Sequence, residues 1–355
     1  MKARGLALTK CINLKRVRSN TASMKVWAVP KKRRRREPRV HLGYQSMVPS
    51  ALFFTARTSS PTSVQYGGTV GPCPEREKSR EVAMNEHERS KVAASSAYNA
   101  ASDFFDHPIN SFWNRFGQAT IDRMGLNAGQ SVLDVCCGSG ASAIPAARSV
   151  GPEGMVLGVD LAENLIGLAR EKALEEGLTQ AVFQCEDMLA IEPRDAVFDA
   201  VVCVFGIFFV PDMEGAVREL WARVKPGGVL AITTWGPDFF EPANDAFWES
   251  IRQVAPSAHK AFNPWDRIST PSSLLTMLEA SDVKGITIDE EQYIHRISRP
   301  EDWWTTVMGS GYRGTIEKLS PDAQQKVREL NLEFIEKAGV EGIQANVIYA
   351  IARKD

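Results

Sequence analysis

Three acids and two glycines are spaced as a ligand site would need them. Asp134 stands four residues before Gly138-Ser139-Gly140, Asp160 closes an apolar run 20 residues past Gly140, and Glu186-Asp187 follow a third apolar run. Bare glycines let the backbone turn tightly and approach a ligand, and the helix N-terminus they lead into favours anionic groups. A carboxylate at the position of Asp160 is where nucleotide sites meet ribose hydroxyls. The turn alone leaves two cofactors open, because Gly138-Ser139-Gly140-Ala141-Ser142-Ala143 also fits the G-x-G-x-x-A pattern of dinucleotide dehydrogenases. Asp134 separates them, since a carboxylate there suits a cation such as an amino-acid ammonium and repels a pyrophosphate. Asp187 can accept a hydrogen bond from an adenine amine. S-adenosylmethionine carries all three parts: ammonium, ribose and adenine. Singly, each acid serves as well for a loop or helix cap; the reading rests on the set.

The elements that must position this set alternate. Apolar strand patterns at Ser131–Val135, 155–159, 181–184, 200–204 and 229–233 are interleaved with helical patterns at 141–150, 162–176 and 214–224. Such alternation predicts βαβ units and a parallel sheet covered by helices on both faces. Lys225-Pro226-Gly227-Gly228 reads as a turn. A helical region, broken at Pro108, precedes the first strand, with Ala93, Ala97, Phe104, Phe105, Phe112 and Phe116 at helical spacings. After Thr234 the rhythm breaks. Residues 236–282 read as helical and aromatic, two late strands are expected at 285–289 and 346–353, and helices at Pro300–Met308 and 321–337.

The 42 Lys and Arg nearly cancel the 43 Asp and Glu, but they are not mixed. Residues 1–74 hold fifteen basic groups against the single acid Glu37, which leaves 27 basic and 42 acidic groups to the rest. The chain therefore divides into a basic leader, 1–83, and an acidic domain, 84–355, with a cofactor core at about 128–235 and a substrate-side region at about 236–345. The leader carries Lys31-Lys32-Arg33-Arg34-Arg35-Arg36 and a Ser/Thr-rich stretch, with no sustained helical period, and is expected to be disordered. It reads as a translation start placed upstream of Met84, as an organelle transit segment, or, through its basic run, as a nuclear address or nucleic-acid patch. The first gives a cytoplasmic protein, the second a mitochondrial or plastid one. The longest apolar run, 200–210, is too short for the roughly 20 residues of a membrane span, so none is expected. Cys11, Cys73, Cys136, Cys137, Cys185 and Cys203 show neither a zinc spacing nor a C-x-x-C pair. No metal is expected, and the cysteines read as small hydrophobes in a reducing compartment.

On these residues the chain resembles the class I S-adenosylmethionine-dependent methyltransferases, of the type 11, ubiquinone/menaquinone C-methyltransferase-like kind. The matching stretches are LDVCCGSG (133–140), GVDLAENLIGLAR (158–170), CEDM (185–188), FDAVVCVFGIFFVPD (198–212) and KPGG (225–228). The resemblance implies a Rossmann-like, doubly wound, mostly parallel seven-stranded α/β sheet with aromatic-rich helical additions. It implies that Asp134, Gly138, Ser139 and Gly140 face the methionine part, that Asp160 binds the ribose with Leu161 beside the adenine, and that Asp187 and Met188 flank the adenine. Phe205 would lie near the sulfonium, and Tyr98, in YNAASDFF, would close over the cofactor. The quinone methyltransferases carry an Arg-Asn pair where this chain has Phe208 and Phe209. That departure bears on the acceptor and leaves the cofactor loop untouched.

Residues 235–312 hold eleven of the chain's thirty Phe, Trp and Tyr, among them Trp235, Trp248, Trp265, Trp303, Trp304 and Tyr312. They read as an accessory core or as the lining of an apolar pocket over the methyl donor. The expected partner is a small apolar or aromatic molecule. Methyl transfer is an in-line displacement that positioning can accelerate strongly. A hydroxyl acceptor also needs a base, for which His107 and His295 are the candidates, each equally a surface or core histidine. Three other readings stand beside this one. A methyltransferase acting on RNA or protein could be recruited by the leader, although a net charge of about −15 outside it disfavours phosphate backbones, so nucleic acid is not expected as a partner. A dehydrogenase is opposed by Asp134. A binding-only relative would retain the cofactor and lose turnover.

Overall fold

The computed structural model describes residues 86–192, 197–260 and 262–355, all within one structural unit. The basic leader and the six-residue basic run lie outside the described residues, as do Cys11, Cys73 and the start at Met84.

The first strand patterns become β1 (Ser131–Val135), β2 (Met155–Asp160), β3 (Ala181–Cys185), β4 (Phe198–Val204) and β5 (Val224–Trp235). Two late strands, β6 (Ile286–Glu291) and β9 (Val347–Arg353), join them in a seven-stranded sheet of order β3-β2-β1-β4-β5-β9-β6. Strands β1 to β5 pair in parallel, and β9 pairs antiparallel with both β5 and β6. The expected mostly parallel, doubly wound sheet is thus present. The short strands β7 (Ile294–Arg296) and β8 (Gly342–Gln344) form a separate two-stranded ribbon that the sequence patterns did not announce. Three residues each are too short to show a period.

Strands β1 and β4 are covered on both faces, as central parallel strands must be. Along β4 the side chains alternate between two cores: Val201 and Cys203 join one, Ala200 and Val202 the other. Helices α1 (Glu86–Phe105) and α2 (Phe112–Met124) precede the sheet, with a single helical turn at Pro108–Asn110 between them, where Pro108 breaks the pattern. Helices α3 (Ala143–Val150), α4 (Glu163–Glu175) and α5 (Met213–Arg223) connect the parallel strands. Phe112 and Phe116, both fully buried, anchor α2, each contributing about 1.5–3 kcal/mol of apolar burial. The aromatic segment after β5 supplies α6 (Ala243–Val254) and α7 (Pro271–Ala280), and α8 (Pro300–Met308), α9 (Arg313–Ile316) and α10 (Pro321–Ala338) follow β7.

The expected turn at 225–228 is absorbed into β5, which runs from Val224 while its register to β4 slips between Phe198 and Ala200. Gly227, at φ 77°, supplies the left-handed residue that this irregularity needs. The strand order reverses between β1 and β4, so the crevice of the sheet opens at their carboxyl ends, where Asp134, Gly138 and Phe205 lie.

Candidate functional site

A cavity with about 770 Å³ of free space, counted out to its mouth, opens at these strand ends. Tyr98, Gly138, Asp160, Leu161 and Phe205 line it, so five of the ten sequence-selected cofactor positions meet in one place.

Asp160 organises the loop. One carboxylate oxygen accepts from the Gly138 N–H at 2.9 Å and the other from the Ala162 N–H at 2.8 Å. Gly138 turns in the left-handed region at φ 53°, which a bare glycine does at no steric cost. Cys136 and Phe205 hold similar angles, φ 56° and 54°, without that freedom. Such strain persists where surrounding packing over-determines it, and it gathers at ligand sites. Phe205 is fixed by stacking on Trp235, with ring centroids 3.9 Å apart.

Ser139 and Gly140 lie behind the loop rather than on the cavity wall. Ser139 is fully buried, and its hydroxyl donates to Asp106 at 2.7 Å. The Lys172 ammonium donates to Asp106 at 2.7 Å, to the Ser139 carbonyl at 2.9 Å and to the Ser139 hydroxyl at 3.0 Å. This clamp holds the loop from α4. Asp134 also stands one layer back. It is fully buried, its Oδ2 accepts from the Ser142 hydroxyl at 2.7 Å, and its Oδ1 is buried without a partner. Ser142 itself lines the cavity. Direct exposure of Asp134 to a ligand, expected from spacing, is therefore replaced by a position beneath Ser142, because β1 is a central strand covered on both faces.

Burial pushes the Asp134 carboxyl up to about 7. The native state thus keeps a proton that the unfolded chain, titrating near about 4, has already released. Stability contributed by this proton is lost as pH rises from about 4 to about 7, and the loss is complete above that. Asp134→Asn, which stays neutral, is expected to gain stability relative to the native protein as pH rises through this window and to hold that gain above it. Thermal unfolding from pH 4 to 8 measures the difference, and a difference independent of pH would contradict a buried, high-pKa carboxyl.

Helix α1 covers the cavity. Ser95 donates to the Leu161 carbonyl at 2.9 Å, and the Asn164 N–H donates to Asn99 at 2.9 Å. Lys91 pairs with Asp187 at 2.6 Å. Asp187 thus ties α1 to the end of β3, while Met188 is buried with its sulfur 3.6 Å from that of Cys136. Neither lines the cavity; both stand behind it, Asp187 against the cover helix and Met188 against Cys136. Tyr98 stands edge-on to Phe105 and Phe209, at 6.1 and 5.6 Å, and burial raises its phenol.

The two histidines are not brought together. His107 is exposed and caps the turn at Pro108, its Nδ1 accepting from the Ile109 N–H at 3.2 Å. His295, on β7, is buried edge-on to Phe112, and burial lowers its pKa. Neither lines the cavity, and nothing in their placement supports a base. The Cys136 thiol, which does line it, is raised by its hydrogen bond with Cys203 and by burial, so it stays protonated and a poor nucleophile. Among the described residues no three His, Cys, Asp or Glu gather to hold a metal, and no helix is long and apolar enough to cross a membrane.

A second cavity, with about 580 Å³ of free space to its mouth, shares Tyr98, Trp113 and Phe209 with the first. Its remaining walls come from the aromatic segment, including Trp235, Phe239 and Trp265. Phe208 is buried and packs edge-on to Trp265 at 5.5 Å. Sequence reasoning missed Trp113 and Phe105 as walls because their helical spacing is the same as that of core residues. Trp113 lies against Phe105 in a parallel stack at 5.1 Å.

Comparison with known proteins follows the same segment. The model of the ubiE/COQ5 methyltransferase family matches residues 83–266, more than half of the chain. A demethylmenaquinone methyltransferase of Halalkalibacterium halodurans is 32% identical over 143 residues, 40% of this chain and 58% of its own length. The ubiquinone/menaquinone biosynthesis C-methyltransferase UbiE of Cronobacter sakazakii is 32% identical over 151 residues, 42% of this chain and 59% of its own. A demethylmenaquinone methyltransferase of Listeria monocytogenes serotype 4a is 34% identical over 168 residues, 47% of this chain and 70% of its own. The chain thus spans under two thirds of the first two relatives. The matched segment carries the glycine loop, Asp160, Phe205 and the cover helix, and on that extent the chain belongs to the ubiE/COQ5 methyltransferase family.

Proposed function

We propose that the protein transfers the methyl group of S-adenosylmethionine to a small apolar or aromatic acceptor. One observation carries this reading: the two cavities share an aromatic partition of Tyr98, Trp113 and Phe209, so a donor in one and an acceptor in the other meet at a common wall. The residues of the first cavity fit S-adenosylmethionine. Each Asp160 oxygen accepts one backbone N–H and keeps a further lone pair for a ribose hydroxyl. Leu161 and Leu165 offer apolar surface for the adenine. Beneath Ser142 the Asp134 carboxyl keeps one oxygen without a partner, an acceptor behind the wall that a methionine ammonium would face, and an ammonium there would favour its charged form. When bound, the cofactor supplies an electrophilic methyl on a sulfonium.

The chain's own residues contribute position and dryness. Tyr98 and Phe205 wall the first cavity, and α1 covers it; excluding water strengthens every electrostatic contact inside. The attacking atom of the acceptor forms its bond to the methyl carbon as the carbon–sulfur bond breaks and its electron pair stays on sulfur. The names of the relatives extend the acceptor to a quinone-type ring and the reaction to C-methylation. The apolar pair Phe208-Phe209 supports a ring contact and offers no charge for it.

Equilibrium titration with S-adenosylmethionine, S-adenosylhomocysteine and NADH tests the reading. The two adenosyl ligands are expected to bind and NADH is not. Exclusive NADH binding would overturn the assignment, and cofactor binding without transfer of labelled methyl across a broad acceptor panel would turn the protein into a binding-only relative.

A further inference from the structure

Wall residues of the second cavity carry hydrogen-bond donors that have no partner among the described residues. Trp113 and Trp248 both line it, and the indole N–H of each is buried without a partner. An indole N–H is donor only, so no local proton shift relieves it. A buried donor left unpaired destabilises the site, and a ligand acceptor would relieve it. The third donor is Lys260. Its ammonium sits 5.9 Å from the Trp248 ring centroid, and among the described residues it makes no hydrogen bond or ion pair. Partial desolvation, with the cation Lys318 as a second cause, holds the Lys260 ammonium below the usual lysine range, although the residue keeps an exposed side. Among the described residues no Asp or Glu lines the cavity. Its other polar walls are Asn263, Ser310 and Tyr312, and the Tyr312 hydroxyl is spent on Asn244 at 2.7 Å.

From this donor excess we propose that the second cavity is the acceptor site and that it takes a planar aromatic molecule bearing an anionic oxygen group. The anion lies against Lys260 and the Trp248 N–H, and a second oxygen, near the partition, takes the Trp113 N–H. This deepens the methyltransferase reading and rests on it. The ring suits the faces of Trp235, Phe239 and Trp265, and the oxygen groups suit the three idle donors. A neutral hydrocarbon would leave those donors unpaired, and a cationic acceptor would face Lys260. A carboxylate and a phenolate share the required chemistry.

Binding to the full chain, loaded with S-adenosylhomocysteine, separates these cases. The probes are 2-naphthoate against its neutral amide, and 2,4-dinitrophenolate against its neutral methyl ether, followed by tryptophan fluorescence and calorimetry at pH 7.5. At least one anion is expected to bind about tenfold more tightly than its neutral partner, and which one does so identifies a carboxylate or a phenolate site. Lys260→Met is expected to bring that ratio to about one, and Trp248→Phe, which keeps the ring and removes the N–H, to lower it severalfold. Affinity for S-adenosylhomocysteine should stay unchanged in both variants, which reports an intact fold. Equal binding of anion and neutral partner, no binding of any probe at millimolar concentration, or a ratio that survives Lys260→Met would overturn the proposal. If S-adenosylhomocysteine itself fails to bind the native protein, the methyltransferase reading fails first.

Discussion

Asp160→Ala is expected to weaken S-adenosylmethionine binding by about 100-fold or more. Hydrogen bonds to a charged group contribute about 1.5–3 kcal/mol each, and two ribose hydroxyls on one carboxylate together reach about 3 kcal/mol or above. The carboxylate has a second duty, since it receives the backbone N–H groups of Gly138 and Ala162. Its loss leaves two donors at the turn unpaired and frees the glycine loop. Asp160→Asn should fare little better despite its size. Its amide NH2 would face one of those two N–H groups, donor against donor. Calorimetric titration measures the affinity, and thermal unfolding separates a lost contact from a lost fold. Native affinity in Asp160→Ala would remove this residue from the site.

The largest effect on stability is expected from one methyl group at Gly117. On α2, a Cβ at this position would lie 2.2 Å from the Ala141 carbonyl oxygen and 2.9 Å from the Ser142 nitrogen. Both neighbours are backbone, so no side chain can swing away. Overpacking of this kind costs about 3 kcal/mol or more. Gly117→Ala is therefore expected to lower the Tm by about 10 °C, at roughly 2–4 °C per kcal/mol for a domain of this size. The strain falls on Ala141 and Ser142, which line the first cavity, so on the proposed function affinity for S-adenosylmethionine should fall as well. Gly167→Ala on α4 is the control. Nothing lies within 4 Å of its Cβ, and alanine there should be neutral or stabilising by up to about 1 kcal/mol. Equal unfolding curves for the two variants would show that α2 does not press on the loop.

These two positions mark how far the sequence could be read. Asp160 was legible because its partners are local in the topology: β1 and β2 are neighbours, and their carboxyl ends bring Gly138 and Asp160 together. Gly117 was not legible. It sits in an ordinary amphipathic helix, and its need to lack a side chain appears only when α2 crosses the turn after Gly140. The acids show the same division. Asp134 and Asp160 both close the distance to the loop as spacing suggested, yet Asp134 is sealed beneath Ser142 and only Asp160 faces the cavity. Asp187 follows its strand as expected, but Lys91, from a helix nearly a hundred residues earlier, takes its carboxylate. His107 and His295 carried no spacing signal at all, and the fold disperses them to a cap and a packed ribbon.

The sequence by itself determined the alternation of strands and helices, the glycine turn at the end of β1 and the family to which they belong. Period-two and helical patterns, glycine punctuation and strand-end acids are local quantities, and parallel βαβ units convert them into a crevice by rule. The tertiary structure alone decided which aromatics are walls and which are core, and that Trp113 faces two cavities while Phe112, beside it, is buried in the core. It also decided that Lys260 and Trp248 stand together with idle donors. Hydrogen-bond satisfaction depends on every neighbour in space, and no spacing along one chain records a partner that is missing.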